Sequence, residues 1–117
     1  MINDNHGSTI LAQSRPPGAT AVNAYSPPTS KIAVLSKVII ANTTGSAADA
    51  SIYIDADGST YDETTAILFG KSIGANDSES IEFEDGLELN EDGTIGVQTG
   101  TNDALTFTVL GRELDGL

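Results

Sequence analysis

The sequence predicts an all-β protein: a small antiparallel β-sandwich of jelly-roll-like form with an extended N-terminal arm. Three observations predict it. Short segments rich in β-branched and alternating apolar residues recur along the 117-residue chain. Gly or Asn-Asp turns separate them about every ten residues, and no window shows an apolar repeat at helical spacing. Several short strands at this spacing are typical of a sandwich or a small barrel.

Residues 1–30 form the predicted arm, and residues 31–117 form the predicted sandwich domain. Gly, Pro, Ser, Asn and Ala dominate the arm, which two Pro-Pro pairs interrupt. Around these pairs lie two short extended segments, residues 9–14 and 20–25. A segment this polar buries too little apolar surface to hold itself in place. We therefore expect the arm to lie against its own domain or against a neighbouring subunit.

The apolar residues of the arm are the candidates for contact with a partner. These candidate partner-binding residues are Ile10, Leu11, Val22 and Tyr25. An extended segment can pair with a free strand edge of a neighbouring subunit, which is a common mode of peptide recognition. For Tyr25 two interpretations stay open: an anchor on a partner, or the first core residue of the sandwich.

From residue 31 onwards, strands and turns alternate. The segment 31–42 is rich in β-branched residues, but its alternation is imperfect, which indicates a strand buried on both faces or bent midway by a bulge. Residues 49–55 and 78–84 alternate cleanly, as half-buried strands do. The other predicted strands are residues 66–73, 86–90, 94–99 and 104–111.

Charge and composition exclude several classes of partner. The chain carries 17 Asp and Glu against 5 Lys and Arg, a formal net charge of −12. A surface this acidic repels nucleic acid and an anionic membrane. The chain has no Cys, which excludes disulfides and Cys-ligated zinc. Its first residues lack the features of a signal peptide, and no stretch is long enough to span a bilayer, so we expect synthesis in the cytoplasm.

Candidate catalytic groups are few. The only histidine, His6, lies in the arm, so a Ser-His-Asp triad would require the arm to fold back. The sequence contains neither a dinucleotide-binding glycine motif nor a P-loop. Two carboxylates would suffice for glycoside hydrolysis, but sugar-cleaving clefts also use aromatic side chains. The chain has no Trp. We assign Phe69, Phe83 and Phe107 to the core, and we expect Tyr53 to pack against other side chains and not to bind a ligand. We predict no enzymatic activity.

One acidic loop offers a candidate calcium site at Asp55, Asp57 and Asp62. Calcium takes about six to eight oxygen ligands, which the carboxylates and carbonyls of a tight turn can supply. The spacing is not that of an EF-hand, because Gly58 occupies the fourth position. The alternative is a solvated hairpin turn, in which Asp and Gly are present for their turn geometry. We predict no required cofactor, and calcium binding in this loop stays a hypothesis.

Five short motifs follow one another between residues 24 and 114, over about three-quarters of the chain. They are a Tyr-Pro-Lys entry at 25–31, Val-Ile-Ile-Ala-Asn-Thr at 38–43, Ala-Ser-Ile-Tyr-Ile at 50–54, Leu-Glu-Leu-Asn-Glu-Asp-Gly-Thr at 87–94 and Thr-Phe-Thr-Val-Leu-Gly-Arg-Glu at 106–113. In this order the chain resembles a family of small β-sandwich virion structural proteins of tailed phages. One departure is the Asp92-Gly93 order, which reverses the Gly-Asp of the family.

The resemblance implies a virion structural role with no catalytic residues. We expect a capsid decoration or cement protein at the capsid surface, made in the host cytoplasm, that stabilises the phage head by binding the major capsid protein or other virion subunits. It also implies a homo-oligomer, for which a trimer is plausible. The alternative is a tail, neck or fibre accessory module that binds a host surface glycan.

Overall fold

The computed structural model describes residues 8–116, so His6 lies outside the described residues. The strands are β1 (Thr9–Ser14), β2 (Val22–Tyr25), β3 (Lys31–Asn42), β4 (Ala48–Asp55), β5 (Ala66–Ile73), β6 (Ser78–Leu89), β7 (Thr94–Thr99) and β8 (Leu105–Asp115). The segments predicted at 78–84 and 86–90 form one strand, β6, in which Asp85 and Gly86 have positive φ angles of 66° and 80°. Within residues 8–116, no helix has the length and apolarity to cross a membrane.

The strands form two four-stranded antiparallel sheets, named here after their first strands. The β1 sheet has the order β1-β8-β3-β6, and the β2 sheet has the order β2-β7-β4-β5. Successive strands change sheet at every connection except the β4–β5 hairpin. An eight-stranded, two-sheet arrangement of this kind is a jelly roll. The predicted all-β sandwich is confirmed.

The core lies between the sheets because the inward positions of the strands are apolar. In β8, the buried Leu105, Phe107 and Val109 alternate with the half-buried Thr106 and Thr108. The fully buried apolar residues that β3, β4 and β7 contribute are Ala33, Leu35, Val38, Ile40, Ala50, Ile52, Ile95 and Val97. Burial stabilises the fold by roughly 25 cal/mol for each Å² of apolar surface removed from water. The central strands therefore supply most of the apolar stabilisation.

The irregular pattern of β3 results from a bulge. β3 lies between β8 and β6, and its register against both neighbours shifts between Leu35 and Lys37. Ser36, the residue between them, donates a hydrogen bond from its hydroxyl to the Leu110 carbonyl at 3.1 Å. Without the bulge, strict alternation after Leu35 would direct Val38 outward. With it, both Leu35 and Val38 face the core. Of the two explanations for the imperfect alternation, the bulge is correct.

The described part of the predicted arm belongs to the sandwich. β1 pairs with β8, and β2 pairs with β7, so each forms an edge of one sheet. Leu11 and Val22 pack against the core. The domain boundary expected at residue 30 is therefore wrong for residues 8–30. An edge strand needs only one paired neighbour and one buried face, which a short, mostly polar segment can satisfy.

Candidate functional site

Tyr25 belongs to the core, which is one of the two roles left open by the sequence. Its side chain is 8% exposed, and its hydroxyl donates a hydrogen bond to Glu113 Oε2 at 2.5 Å. Burial, together with the hydrogen bond and the charge of Glu113, raises the pKa of Tyr25 well above its ordinary value. The bond joins the end of β2 to β8 in the other sheet, which ties the two sheets together at this end of the sandwich.

High pH is expected to destabilise the protein through Tyr25. An unfolded chain ionises its tyrosines near pH 10, whereas folded Tyr25 keeps its proton to higher pH. Its contribution is therefore complete below about pH 10 and is lost as the pH rises above that value. Urea unfolding at about pH 9 and about pH 11 measures the loss. The Tyr25→Phe variant should lose less stability over this interval than the unaltered protein, and an equal loss in both would contradict the assignment.

The other three predicted partner-binding residues differ in exposure. Ile10, on β1, is 58% exposed. Leu11 and Val22 are half-buried, and both pack against the core of their own domain. A partner could therefore cover the side chain of Ile10 extensively, whereas Leu11, Val22 and Tyr25 mainly hold β1 and β2 to the sandwich. These three residues are packing residues of their own domain, and their contact with a partner stays a prediction.

Ile10 belongs to a patch on the outer face of the β1 sheet, here called the Ile10 face. One row of opposed residues across the sheet runs from Ile10 through Leu110 and Lys37 to Glu82. The adjacent row consists of Gln13, Thr108, Ile39 and Ser80. Lys37 and Glu82 are the only charged residues among these eight, and their charges are opposite. The Ile10 face is therefore neutral on a protein with a net charge of −12.

The two edges of the β1 sheet differ in charge. β1 forms one edge and contains no charged residue, whereas β6 forms the other. The acidic residues of β6 are Glu79, Glu82, Glu84, Asp85 and Glu88. Charged side chains on an edge strand hinder pairing with another chain. The β6 edge is thus protected against strand addition, and the β1 edge lacks this protection.

The acidic loop after β4 uses its carboxylates to hold its own backbone. Asp55 accepts hydrogen bonds from the backbone N–H groups of Thr60 and Asp57, at 2.8 and 3.1 Å. Asp62 accepts from the hydroxyl and the backbone N–H of Thr64, at 2.5 and 2.8 Å. The Thr60 amide lowers the pKa of Asp55, and the Thr64 hydroxyl lowers the pKa of Asp62. Within residues 8–116, no three acidic or histidine side chains are placed to share a metal ion, so Asp55, Asp57 and Asp62 do not form the proposed calcium cluster.

Calcium is expected to leave the melting temperature unchanged, because the carboxylates of Asp55 and Asp62 already accept hydrogen bonds from the loop itself. A ligand present at a hundred times its dissociation constant would add about 2.7 kcal/mol of stability, which a thermal melt detects easily. Melts with calcium, with magnesium and with a chelator make the comparison. An upward shift that is specific to calcium and absent from an Asp57→Asn variant would restore the calcium hypothesis.

Aromatic side chains gather on the outer face of the β2 sheet. Tyr53 lies there at 2% exposure, and its ring centroid is 6.0 Å from that of Tyr61 and 6.4 Å from that of Phe69. Tyr61 lies over Gly96, where a Cβ atom would collide with its ring. The Tyr61 hydroxyl donates to Thr94 Oγ1 at 2.9 Å. Tyr53 packs, as predicted, but against this outer cluster and not within the core between the sheets.

Phe69 is a functional candidate that the sequence did not indicate. It was assigned to the core, but its side chain is 60% exposed, whereas Phe107 is fully buried and Phe83 packs against the core. Phe69 lies on β5, an edge strand whose register against β4 shifts on either side of Ile52. Leu68 takes the position that packs against the core, which leaves Phe69 on the outer face. Residues 66–69 are all apolar, so their sequence does not indicate which of them face the core and which face outward.

The fold defines this chain as an eight-stranded jelly-roll domain. No protein-family model matches the sequence, and no curated protein matches it significantly. A chain in the structure of infectious bursal disease virus Gx strain is similar with a TM-score of 0.48 and 10% identity, over 93% of this chain and 31% of that chain. For the Gt strain the TM-score is 0.45 and the identity 13%, over 96% and 34% of the two chains.

The Anabaena sensory rhodopsin transducer is similar with a TM-score of 0.39 and 15% identity, over 92% of this chain and 86% of that chain. The 117-residue jelly-roll chain spans about a third of the length of each of the two viral chains that it matches. Similarity at this level does not identify a function.

Proposed function

We propose that the protein is a virion structural subunit of the capsid decoration or cement type, which binds the major capsid protein through the Ile10 face. The ordered motifs that resemble tailed-phage virion proteins support the virion role. The observation that carries the proposal is the neutral, partly apolar Ile10 face on a protein with a net charge of −12.

A neutral face suits protein binding because the centres of protein interfaces are depleted of charged residues. A charge that loses water without gaining a partner costs free energy. Ile10, Ile39 and Leu110 offer apolar surface that a capsid subunit can cover without burying a carboxylate. Lys37 and Glu82, at the β3–β6 side of the face, offer one group of each sign. The acidic remainder of the protein would face solvent.

The free edge of β1 adds a second mode of contact. Among residues 8–116, β1 pairs with β8 and with no other strand, and the six residues of β1 carry no charge. An extended segment of the capsid protein could add to the sheet here, with main-chain hydrogen bonds supplying affinity. Residues 9–14 would thus contact the partner while they remain paired in their own sheet, which differs from the separate N-terminal arm predicted from the sequence.

Binding in many copies is part of the proposal, because simultaneous contacts multiply a weak affinity into a strong one. A homo-oligomer, with a trimer as the form suggested by the resemblance, is also proposed. The protein would have no catalytic role and would contact neither nucleic acid nor membrane, since its acidic surface repels both. A tail, neck or fibre location is the alternative position in the virion.

The substitution Ile10→Asp is expected to reduce capsid binding about tenfold or more, because it places a carboxylate in the neutral face. Ile10 is 58% exposed, so the change leaves the core intact. Particles assembled without the protein are incubated with each variant and sedimented. The control is Ile67→Asp, the same change at a 42% exposed residue of the other sheet, which should bind like the unaltered protein.

Two results would contradict the proposal in different ways. Equal binding of the Ile10→Asp and Ile67→Asp variants would show that the Ile10 face is not the docking surface. Failure of the unaltered protein to bind particles at any concentration would remove the capsid role itself.

A further inference from the structure

A shallow depression of about 190 Å³ lies on the outer face of the β2 sheet, across β4, β5 and β7. Its lining combines the exposed ring of Phe69 with the polar side chains of Asp49, Ser51 and Gln98. Pockets for drug-sized ligands have volumes of about 300–1,000 Å³. The depression therefore has room for a single small ring, held by one aromatic face and a few polar groups.

The ring of Phe69 packs against the ring of Tyr53, which lies deeper in the outer face of the β2 sheet. The buried Tyr53 meets it edge-on, with an angle of 78° between the rings. The Tyr53 hydroxyl donates to Gln98 Oε1 at 2.6 Å, and Gln98 Nε2 donates to the Ala19 carbonyl at 2.8 Å. These bonds fix Tyr53 and, through it, one side of the Phe69 ring. A surface that is already ordered loses little conformational entropy when a ligand binds.

The backbone beneath Phe69 is also fixed. The next residue, Gly70, has a positive φ of 66°, and its N–H donates to Ser51 Oγ at 3.0 Å. Residues other than glycine rarely adopt this conformation. The hydrogen bond to Ser51 holds the irregular part of β5 in this conformation, in which the ring of Phe69 lies on the outer face.

Two polar groups of the depression have hydrogen-bonding capacity left for a ligand. Ser51 Oγ accepts from Gly70, so its O–H can still donate. Asp49 makes no side-chain hydrogen bond and no ion pair with the described residues, and an ionised carboxylate only accepts. A ligand that complements them carries hydroxyl groups, because a hydroxyl both donates and accepts.

We infer that this depression binds a neutral carbohydrate, as a monosaccharide or as the terminal sugar of a glycan. The apolar C–H face of a pyranose ring would lie on Phe69, and its hydroxyls would bond to Asp49 and Ser51. An exposed aromatic ring beside a carboxylate meets both requirements of a sugar, whose faces are apolar and whose rim is polar.

Charge sets the class of sugar. The depression contains an acidic side chain and no Lys or Arg, on a protein with a net charge of −12. A sialylated or sulfated glycan would be repelled by this potential. Neutral hexoses and N-acetylhexosamines are not repelled, so the site selects against anionic glycans.

This inference does not rest on the proposed capsid role. The Ile10 face and the depression lie on the outer faces of different sheets, on opposite sides of the sandwich. A protein that docks by the Ile10 face would present the depression to the surroundings. The two activities can therefore be lost separately.

The test uses the full chain on an array of neutral and acidic glycans, followed by saturation-transfer NMR with free glucose, galactose, mannose and N-acetylglucosamine. At least one neutral sugar is expected to bind, and sialylated glycans are not. Phe69→Ala should weaken that binding about tenfold or more, a loss of about 1.4 kcal/mol or more. Asp49→Asn should also weaken it, because the amide keeps only one acceptor oxygen and carries no charge.

The matched control is Ile67→Ala, which removes another exposed apolar side chain of β5 outside the depression. It should bind sugar like the unaltered protein, and thermal melts of all variants check that they fold. The inference would be overturned if no neutral sugar bound, or if Phe69→Ala and Ile67→Ala weakened binding equally. Particle binding that persists in Phe69→Ala would show that the two surfaces are independent.

Discussion

A chain that lacks residues 1–24 is expected to lose its cooperative unfolding transition. The deletion removes β1 and nearly all of β2, which are the partners of β8 and β7. It exposes one edge of β8 and one edge of β7, together with the core residues that Leu11 and Val22 cover. Small domains have only about 5–15 kcal/mol of stability in total. The loss of two strands is more than this margin can absorb.

The comparison needs a chain that starts at Ser8 as the control, because it keeps both strands. Circular dichroism and urea unfolding should show a sigmoidal transition for the control and none for the shorter chain. A cooperative transition of similar midpoint in both would mean that β1 and β2 are dispensable. In that case the segment would behave as the separate arm that the composition of residues 1–30 first suggests.

Gly111→Ala is expected to lower the free energy of unfolding by about 3 kcal/mol, the upper end of the usual cost of overpacking. Gly111 lies on β8 opposite Leu35, beside the bulge of β3. A Cβ atom at this position would overlap the Val34 carbonyl oxygen and lie 3.0 Å from the Leu35 Cα atom. Both are backbone atoms of a central strand, which cannot move away without disturbing its hydrogen bonds to two neighbours.

Gly45→Ala is the matched control for this substitution. A Cβ atom at Gly45 would meet no atom within 4 Å, and the residue lies in the turn between β3 and β4. Its effect should stay within about 0.5 kcal/mol, as for most surface substitutions. Urea unfolding measures both variants. Equal stability of the Gly111→Ala and Gly45→Ala variants would contradict the close contact between the backbones of β8 and β3 at Gly111.

Local sequence was sufficient to locate the strands because each has its own pattern of apolar and polar residues. The predicted bounds of β1, β5 and β7 agree with the structure, and β4 differs by one residue. The prediction failed at β6, which was divided at residue 85. Asp85 and Gly86 are turn residues with positive φ, but β3 pairs with β6 on both sides of them, so the strand continues.

The candidate surfaces were much harder to predict. Ile10, Ile39 and Leu110 are far apart in the chain and become one face only when β1, β8 and β3 pair. Phe69 was assigned to the core because an aromatic residue in an apolar run is usually buried. Its exposure depends on the irregular pairing of β5 with β4, which no local pattern records. The acidic loop was easier to predict, because the sequence left open two interpretations, a calcium site and a hairpin turn, and the second describes its geometry.

The sequence by itself determined that this protein is all-β, where its strands lie, and that its surface is strongly acidic. Alternation of apolar residues and turn chemistry are local properties, and net charge is a sum, so none of them needs a tertiary structure. Only the tertiary structure decided that residues 9–25 complete the two sheets, that Tyr25 meets Glu113, and that Phe69 faces outward. These are contacts between distant segments, and their geometry is set by strand pairing and bulges along the whole chain.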